Sequence, residues 1–155
     1  MADGALALSD ISAWSVDWIW GVPLTVVTLV AHVVWLGIFD RRLVRLSRAP
    51  WFGVRPQLGF ILVMSAAVLL AVLLHAAEAV FWAVAYVALG ALPDPRTAML
   101  FSMEAQTSFG HDQMFLAPHW QMLGALEALV GVMMFGLTVA FLFSMMQRVG
   151  PANER

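Results

Sequence analysis

Three long runs of uncharged, apolar residues dominate this chain, and no small water-soluble fold has room for them. The first, Val22 to Phe39, has 18 residues without a formal charge. As a helix it would measure about 27 Å, which matches the hydrocarbon thickness of a bilayer. Leu58 to Leu92 follows with a single formal charge, Glu78, and His119 to Gln147 with a single charge, Glu127. At 155 residues, 62% hydrophobic and 12% charged, the chain has too much surface to hide its apolar residues in one core. Lipid must cover the remainder. The expected fold class is all-α integral membrane, with three transmembrane helices.

The placement of charge orients the spans. Trp14, Trp18 and Trp20 precede the first span, where indole rings suit the headgroup layer. Asp40, Arg41, Arg42, Arg45 and Arg48 follow it, and with Arg55 they form the basic cluster. By the positive-inside rule residues 40–57 are a cytoplasmic loop, so 1–21 is an extracytoplasmic segment and 22–39 the first span. The second span, 58–92, is expected to end on Pro93, Asp94 and Pro95, because proline removes a donor and restricts the residue before it. The third, 119–148, closes on Arg148 and leaves a cytoplasmic tail, 149–155. Asp3, Asp10 and Asp17 replace a basic leader, which argues against a cleaved secretory signal. A net charge of −2 offers no footprint for nucleic acid, and the absence of cysteine excludes thiolate chemistry.

Residues 93–118 are too polar to cross a bilayer alone and too apolar for a solvated loop. TAMLFSMEAQT reads as a short amphipathic helix, and SFGHDQ carries glycine and polar residues without helical periodicity. Irregular backbone at membrane depth is tolerated only where protein buries it or water lines it. The segment is therefore expected to re-enter between two spans, as in a pore module.

LFSMEAQTSFGHDQM, followed by LAPHW and a glycine-bearing apolar helix, resembles the pore region of the potassium-channel superfamily. The likeness covers Thr97 through Gly136, and it is greatest to a bacterial group of small ion-channel-like proteins. The pieces that carry it are Phe101-Ser102, Thr107-Ser108, the stretch Leu123 to Ala128 and Phe135-Gly136, with HAAE at His75 to Glu78. The resemblance implies a homotetramer around a central pore in a bacterial inner (plasma) membrane. It also implies a pore helix and a filter over Thr107, Ser108, Phe109, Gly110, His111, Asp112 and Gln113, with monovalent or divalent cations as permeant or bound partners. The family filter is threonine, valine, glycine, tyrosine, glycine, then aspartate, and its carbonyls replace the hydration shell of the ion. Only Gly110 matches it. Phe109 overfills a site for a smaller side chain, and Asp112 takes a position suited to positive φ. The expectation is a pore that is weakly selective or not potassium-selective. Four copies of Asp112 and His111 around one axis would favour cations and titrate together, giving sensitivity to pH. His111 packing sideways is the plainer reading, and a metal held by His111 and Asp112 is another. Glu104, four residues before Ser108, is expected to brace the filter through Gln113 or His111.

Four ionisable residues lie inside apolar runs: His32, His75, Glu78 and Glu127. Lipid-facing charge is costly, so each is expected to face protein. His75 and Glu78, three residues apart, share a helix face and could meet Glu127. A polar clasp between helices, an ion or proton path and a metal site all remain open. Gly124, Ala128, Gly131 and Gly136 provide small surface for close packing, with Gly131 and Gly136 as candidate hinges. Neither a nucleophile with its base nor a phosphate loop is visible, so an enzyme is not expected. A cation channel with a non-standard filter is the expected function. The alternative is a non-conducting pore scaffold carrying a metal, proton or ligand site.

Overall fold

A computed structural model describes residues 2–50, 54–107 and 116–150, with side chains from Asp17 onward. Among the described residues the chain is all-helical: α1 (Ala2–Ser47), α2 (Pro56–Ala88), α3 (Pro95–Thr107), a 3-10 turn (Pro118–Trp120) and α4 (Gln121–Val149). Three helical stretches, Asp17–Ser47, Pro56–Ala88 and Pro118–Val149, are long and apolar enough to cross a membrane. The filter-like residues Ser108, Phe109, Gly110, His111, Asp112 and Gln113 lie outside the described residues.

The exterior explains why lipid is needed. Leu69, Leu73 and Phe135 are each more than 60% exposed, and a long series of valines and leucines joins them. Soluble monomers rarely expose contiguous apolar patches beyond a few hundred Å². Acyl chains are the solvent that this surface fits. The span of α4 is the most enclosed of the three, with 33% of its apolar window buried against 17% for α1.

One helix boundary differs from the sequence reading. Residues 2–21 are helical and belong to α1, which continues through Pro23. Alanine and leucine in this stretch favour helix, and a helix can carry a proline if neighbouring groups re-satisfy the freed carbonyl. The second apolar helix ends at Ala88 and not at the proline pair. Gly90 adopts φ of 69°, the Ala91 amide donates to the Tyr86 carbonyl at 2.9 Å, and the Gly90 amide donates to Val87 at 3.1 Å. This is the Schellman stop, which needs a residue without a Cβ at the left-handed position. The Pro–Asp–Pro sequence does different work: it starts α3. Asp94 accepts at Oδ1 from the Thr97 amide (3.0 Å) and at Oδ2 from the Thr97 hydroxyl (2.7 Å), with Pro95 at the first helical position.

Packing divides the chain into two compact units, Met1–Leu29 with Ala76–Met133, and Val30–His75 with Met134–Arg155. In the first, α3 buries Ala98, Phe101, Ser102 and Ala105, one stripe at helical spacing. The Asp17 carboxylate lies against the backbone amides of Met122 and Leu123, in the first turn of α4, where unpaired helix amides need an acceptor. The Trp82 indole donates to the Thr28 hydroxyl at 3.1 Å, and that hydroxyl donates to the Leu24 carbonyl at 2.8 Å. In the second unit Leu36, Leu43, Val63, Ala67, Leu74, Phe141 and Met145 form the apolar core.

Hydrogen bonds from the Thr97 side chain and backbone hold the Asp94 carboxyl below the usual carboxylate range. A depressed folded value means that the cap contributes fully above the unfolded value of about 3.9, and that this is lost as pH falls through the lower folded value. The difference in melting temperature between the wild-type protein and Asp94→Ala should therefore hold from pH 7 to about 5 and shrink as pH falls below the unfolded value of about 3.9. Paired thermal melts in detergent across that range check it.

Candidate functional site

The site is best built outward from Glu127 on α4, which is fully buried. A carboxyl in that position must find its partners within the protein. Three reach it. The Tyr86 hydroxyl donates to Oε2 at 2.6 Å, the Ser102 hydroxyl donates to Oε1 at 2.5 Å, and the Gln106 amide donates to Oε1 at 3.3 Å. Ser102 also reaches the Ala79 carbonyl at 3.0 Å. One side chain of α4 thereby ties α2 to Ser102 and Gln106 on two successive turns of α3.

Ring packing and glycines complete the fit. Tyr86 meets Phe101 edge to face, with centroids 5.1 Å apart at 79°, a preferred aromatic arrangement. Phe101 fits over Gly124, where an added Cβ would stand 3.1 Å from its Cζ. One heptad later, a Cβ on Gly131 would stand 2.6 Å from the Cα of Gln106 and meet the Gln106 carbonyl as well. Backbone cannot swing aside as a side chain can. Gly131 therefore serves close approach between α3 and α4, whereas Gly136 has nothing within 4 Å of the same position.

Of the ionisable residues inside the spans, Glu78 and Glu127 belong to the first unit and His32 and His75 to the second. Glu78 is buried. In the second unit the Thr138 hydroxyl lies between two imidazoles, 3.1 Å from His75 Nε2 and 3.2 Å from His32 Nε2. The rings stand 5.3 Å apart at 50°. A hydroxyl has one proton and two lone pairs, so it can accept from one ring while donating to the other with both rings neutral. This is a polar clasp of α1, α2 and α4 at a fully buried His32. The hydroxyl partner of His75, Thr138, carries no signal in the sequence, because a threonine in an apolar helix usually bonds back to its own turn.

Tyr86, Ser102 and Gln106 were likewise not singled out as partners of Glu127. Their spacing along the chain is arbitrary, and only the packing of both α2 and α3 on α4 brings them to one carboxyl. Thr107 closes α3 by donating to the Met103 carbonyl at 2.7 Å. Glu104 on the same helix is half-buried, and the residues it was expected to brace lie outside the described ones. The same holds for His111 and Asp112 as metal candidates. Among the described residues no three His, Cys, Asp or Glu side chains are grouped to hold a metal ion.

Comparison with known proteins bears on this arrangement only by its outcome. No family model, curated protein or solved structure matches the chain. The functional reading rests on the residues themselves.

Two pairs of substitutions separate docking from general stability. Glu127→Leu leaves the buried Tyr86 hydroxyl without an acceptor, at about 1 to 3 kcal/mol, and also takes one acceptor from Ser102, which keeps the Ala79 carbonyl, and one from the half-buried Gln106. Tyr86→Phe removes one bond and should lower stability by about 1 to 3 kcal/mol, with Glu127→Leu well beyond it in denaturant titrations. Gly131→Ala should destabilise by roughly 1 to 3 kcal/mol through the clash with Gln106. Gly136→Ala should be neutral or stabilising by up to about 1 kcal/mol, because alanine favours helix and meets nothing there. Melting temperatures of the two variants side by side check the contrast.

Proposed function

We propose that the chain forms a homotetrameric cation channel, with α3 as a re-entrant pore helix and residues 107–113 as a non-standard filter. The observation that carries this reading is the contact between Gln106 and Gly131. Gly131 lies ten residues into α4, about 15 Å along its axis and roughly half the hydrocarbon thickness. α3 begins at Pro95, beyond the end of α2, and its last turn meets the middle of a span. A helix that starts at a membrane boundary and stops at that depth is re-entrant. The chain from Thr107 to Leu116 has a reach of about 30 Å when extended, enough to return to the boundary at which α4 begins.

The electrostatics suit a cation. The carbonyl end of a helix carries a partial negative charge, and in this reading four such ends meet at mid-membrane. Leu100 and Met103 on α3 are 48% and 47% exposed. At that depth they need either lipid or a neighbouring subunit, and a tetramer covers them. The Glu127 cluster holds α3 in place while the filter residues face the axis. Asp112 and His111 form rings at the outer mouth that attract cations and make conduction depend on pH near neutrality. Arg41 to Arg55 and Arg148 place the C-terminus in the cytoplasm and the N-terminus outside. The departures at Phe109 and Asp112 leave the pore weakly selective.

Purified protein in liposomes tests this. Intact tetramers should pass potassium and sodium at rates within about tenfold of each other, a discrimination of roughly 1.4 kcal/mol or less. Asp112→Asn should reduce the preference for cations over chloride. Absence of flux for every cation tried, from tetramers shown to be intact, removes the proposal.

A further inference from the structure

The last turns of α1 carry a row of guanidinium groups. Arg41, Arg45 and Arg48 are exposed and follow one another at four and three residues. At 3.6 residues per turn they fall within roughly 60° of the helix circumference, along about 10 Å of its axis. Leu36 and Leu43, 7% and 4% exposed, mark the opposite face, which packs into the apolar core of the second unit. The row therefore points away from the protein.

Two further observations say what it meets. Traced toward the middle of the span, the same face carries Val30 and Val34, 57% and 51% exposed. In a bilayer spanned by α1 this face meets acyl chains, which sets the guanidinium groups beyond it at the level of the phosphates of the same lipid molecules. Asp40 is the one acidic residue between Phe39 and Pro56. It is already engaged: Arg148 holds it in a two-pronged ion pair, Nη1 to Oδ2 at 2.8 Å and Nη2 to Oδ1, while Nη2 also donates to Ser144 Oγ at 2.8 Å. Among the described residues Arg41, Arg42, Arg45, Arg48 and Arg55 form no ion pair with a carboxylate. The Arg41 Nε donates to the Gly37 carbonyl at 3.1 Å, which leaves its two terminal nitrogens for another acceptor.

We propose that this face of α1 binds anionic phospholipids, with Arg41, Arg45 and Arg48 taking the headgroup phosphates and Val30 and Val34 lying along the acyl chains. Guanidinium matches phosphate through paired N–H donors, and juxtamembrane arginines gain from the negative surface of a leaflet. The valine continuation selects lipid over a soluble phosphate, because a free anion would have no use for it. The proposal requires only that α1 spans a bilayer and does not depend on conduction.

The test is lipid competition by native mass spectrometry on the full-length protein in mild detergent, with phosphatidylglycerol and phosphatidylcholine of equal chain length at equal concentration. The wild-type protein should retain phosphatidylglycerol preferentially, and the preference should weaken as salt is raised. R41Q/R45Q/R48Q should lose it by roughly fivefold per arginine removed. R41K/R45K/R48K keeps the charge and should keep most of the preference. Equal retention of the two lipids by the wild-type protein overturns the proposal. So does an undiminished preference in the glutamine variant, or a lysine variant that loses as much as the glutamine one. Displacement of the lipid by an equal concentration of inorganic phosphate also overturns it, by identifying a small-anion site.

Discussion

A buried carboxyl in a membrane protein has nowhere to turn but to its neighbours, and Glu127 shows what that constraint organises. Water is absent from the hydrocarbon layer, so an unsatisfied polar group there costs several kcal/mol. Tyr86, Ser102 and Gln106 answer it from two other elements. Without this cluster α3 would rely on Ala98, Phe101 and Ala105 and on the approach of Gln106 to Gly131 to hold it to the first unit. A 13-residue helix is marginal in isolation. Its order depends on the carboxyl and on the glycines that admit it.

In lipid the hydrophobic effect does not drive helices together, because acyl chains are as apolar as leucine. Close packing and internal hydrogen bonds must do so. Gly124 and Gly131 let α3 approach α4 at backbone distance, and Thr138 joins two histidines from different helices. The apolar core around Leu36, Val63 and Met145 adds dispersion contacts. Each device removes a polar or geometric reason for the helices to separate, where a soluble protein would rely on burying area.

The ends of the helices are governed by different chemistry. At one, Asp94 caps α3 through Thr97 and Gly90 stops α2. At the C-terminal end of α1, Asp40 and Arg148 neutralise each other while the neighbouring arginines stay exposed. Charge that would be prohibitive within the span is inexpensive in the headgroup layer, where phosphates and water both solvate it.

Much of the plan was legible along the chain. Uncharged runs of spanning length read as membrane helices whatever they pack against, and TAMLFSMEAQT reads as a short amphipathic helix at any docking angle. Periodicity and hydropathy are local properties, so residue order carries them. The partners of Glu127 and of His75 were not legible, since Tyr86 and Ser102 lie 41 and 25 residues from Glu127, and Thr138 lies 63 from His75. The stop at Gly90 was misplaced onto the prolines because Gly90 and Pro93 stand three residues apart, and only the backbone conformation chose between them. Gly131 is a candidate both for a hinge and for close packing, and only the tertiary structure lays the Gln106 backbone against it. Which polar groups meet depends on the rotation and depth of each helix, and those are set by packing against neighbours that a linear pattern does not name.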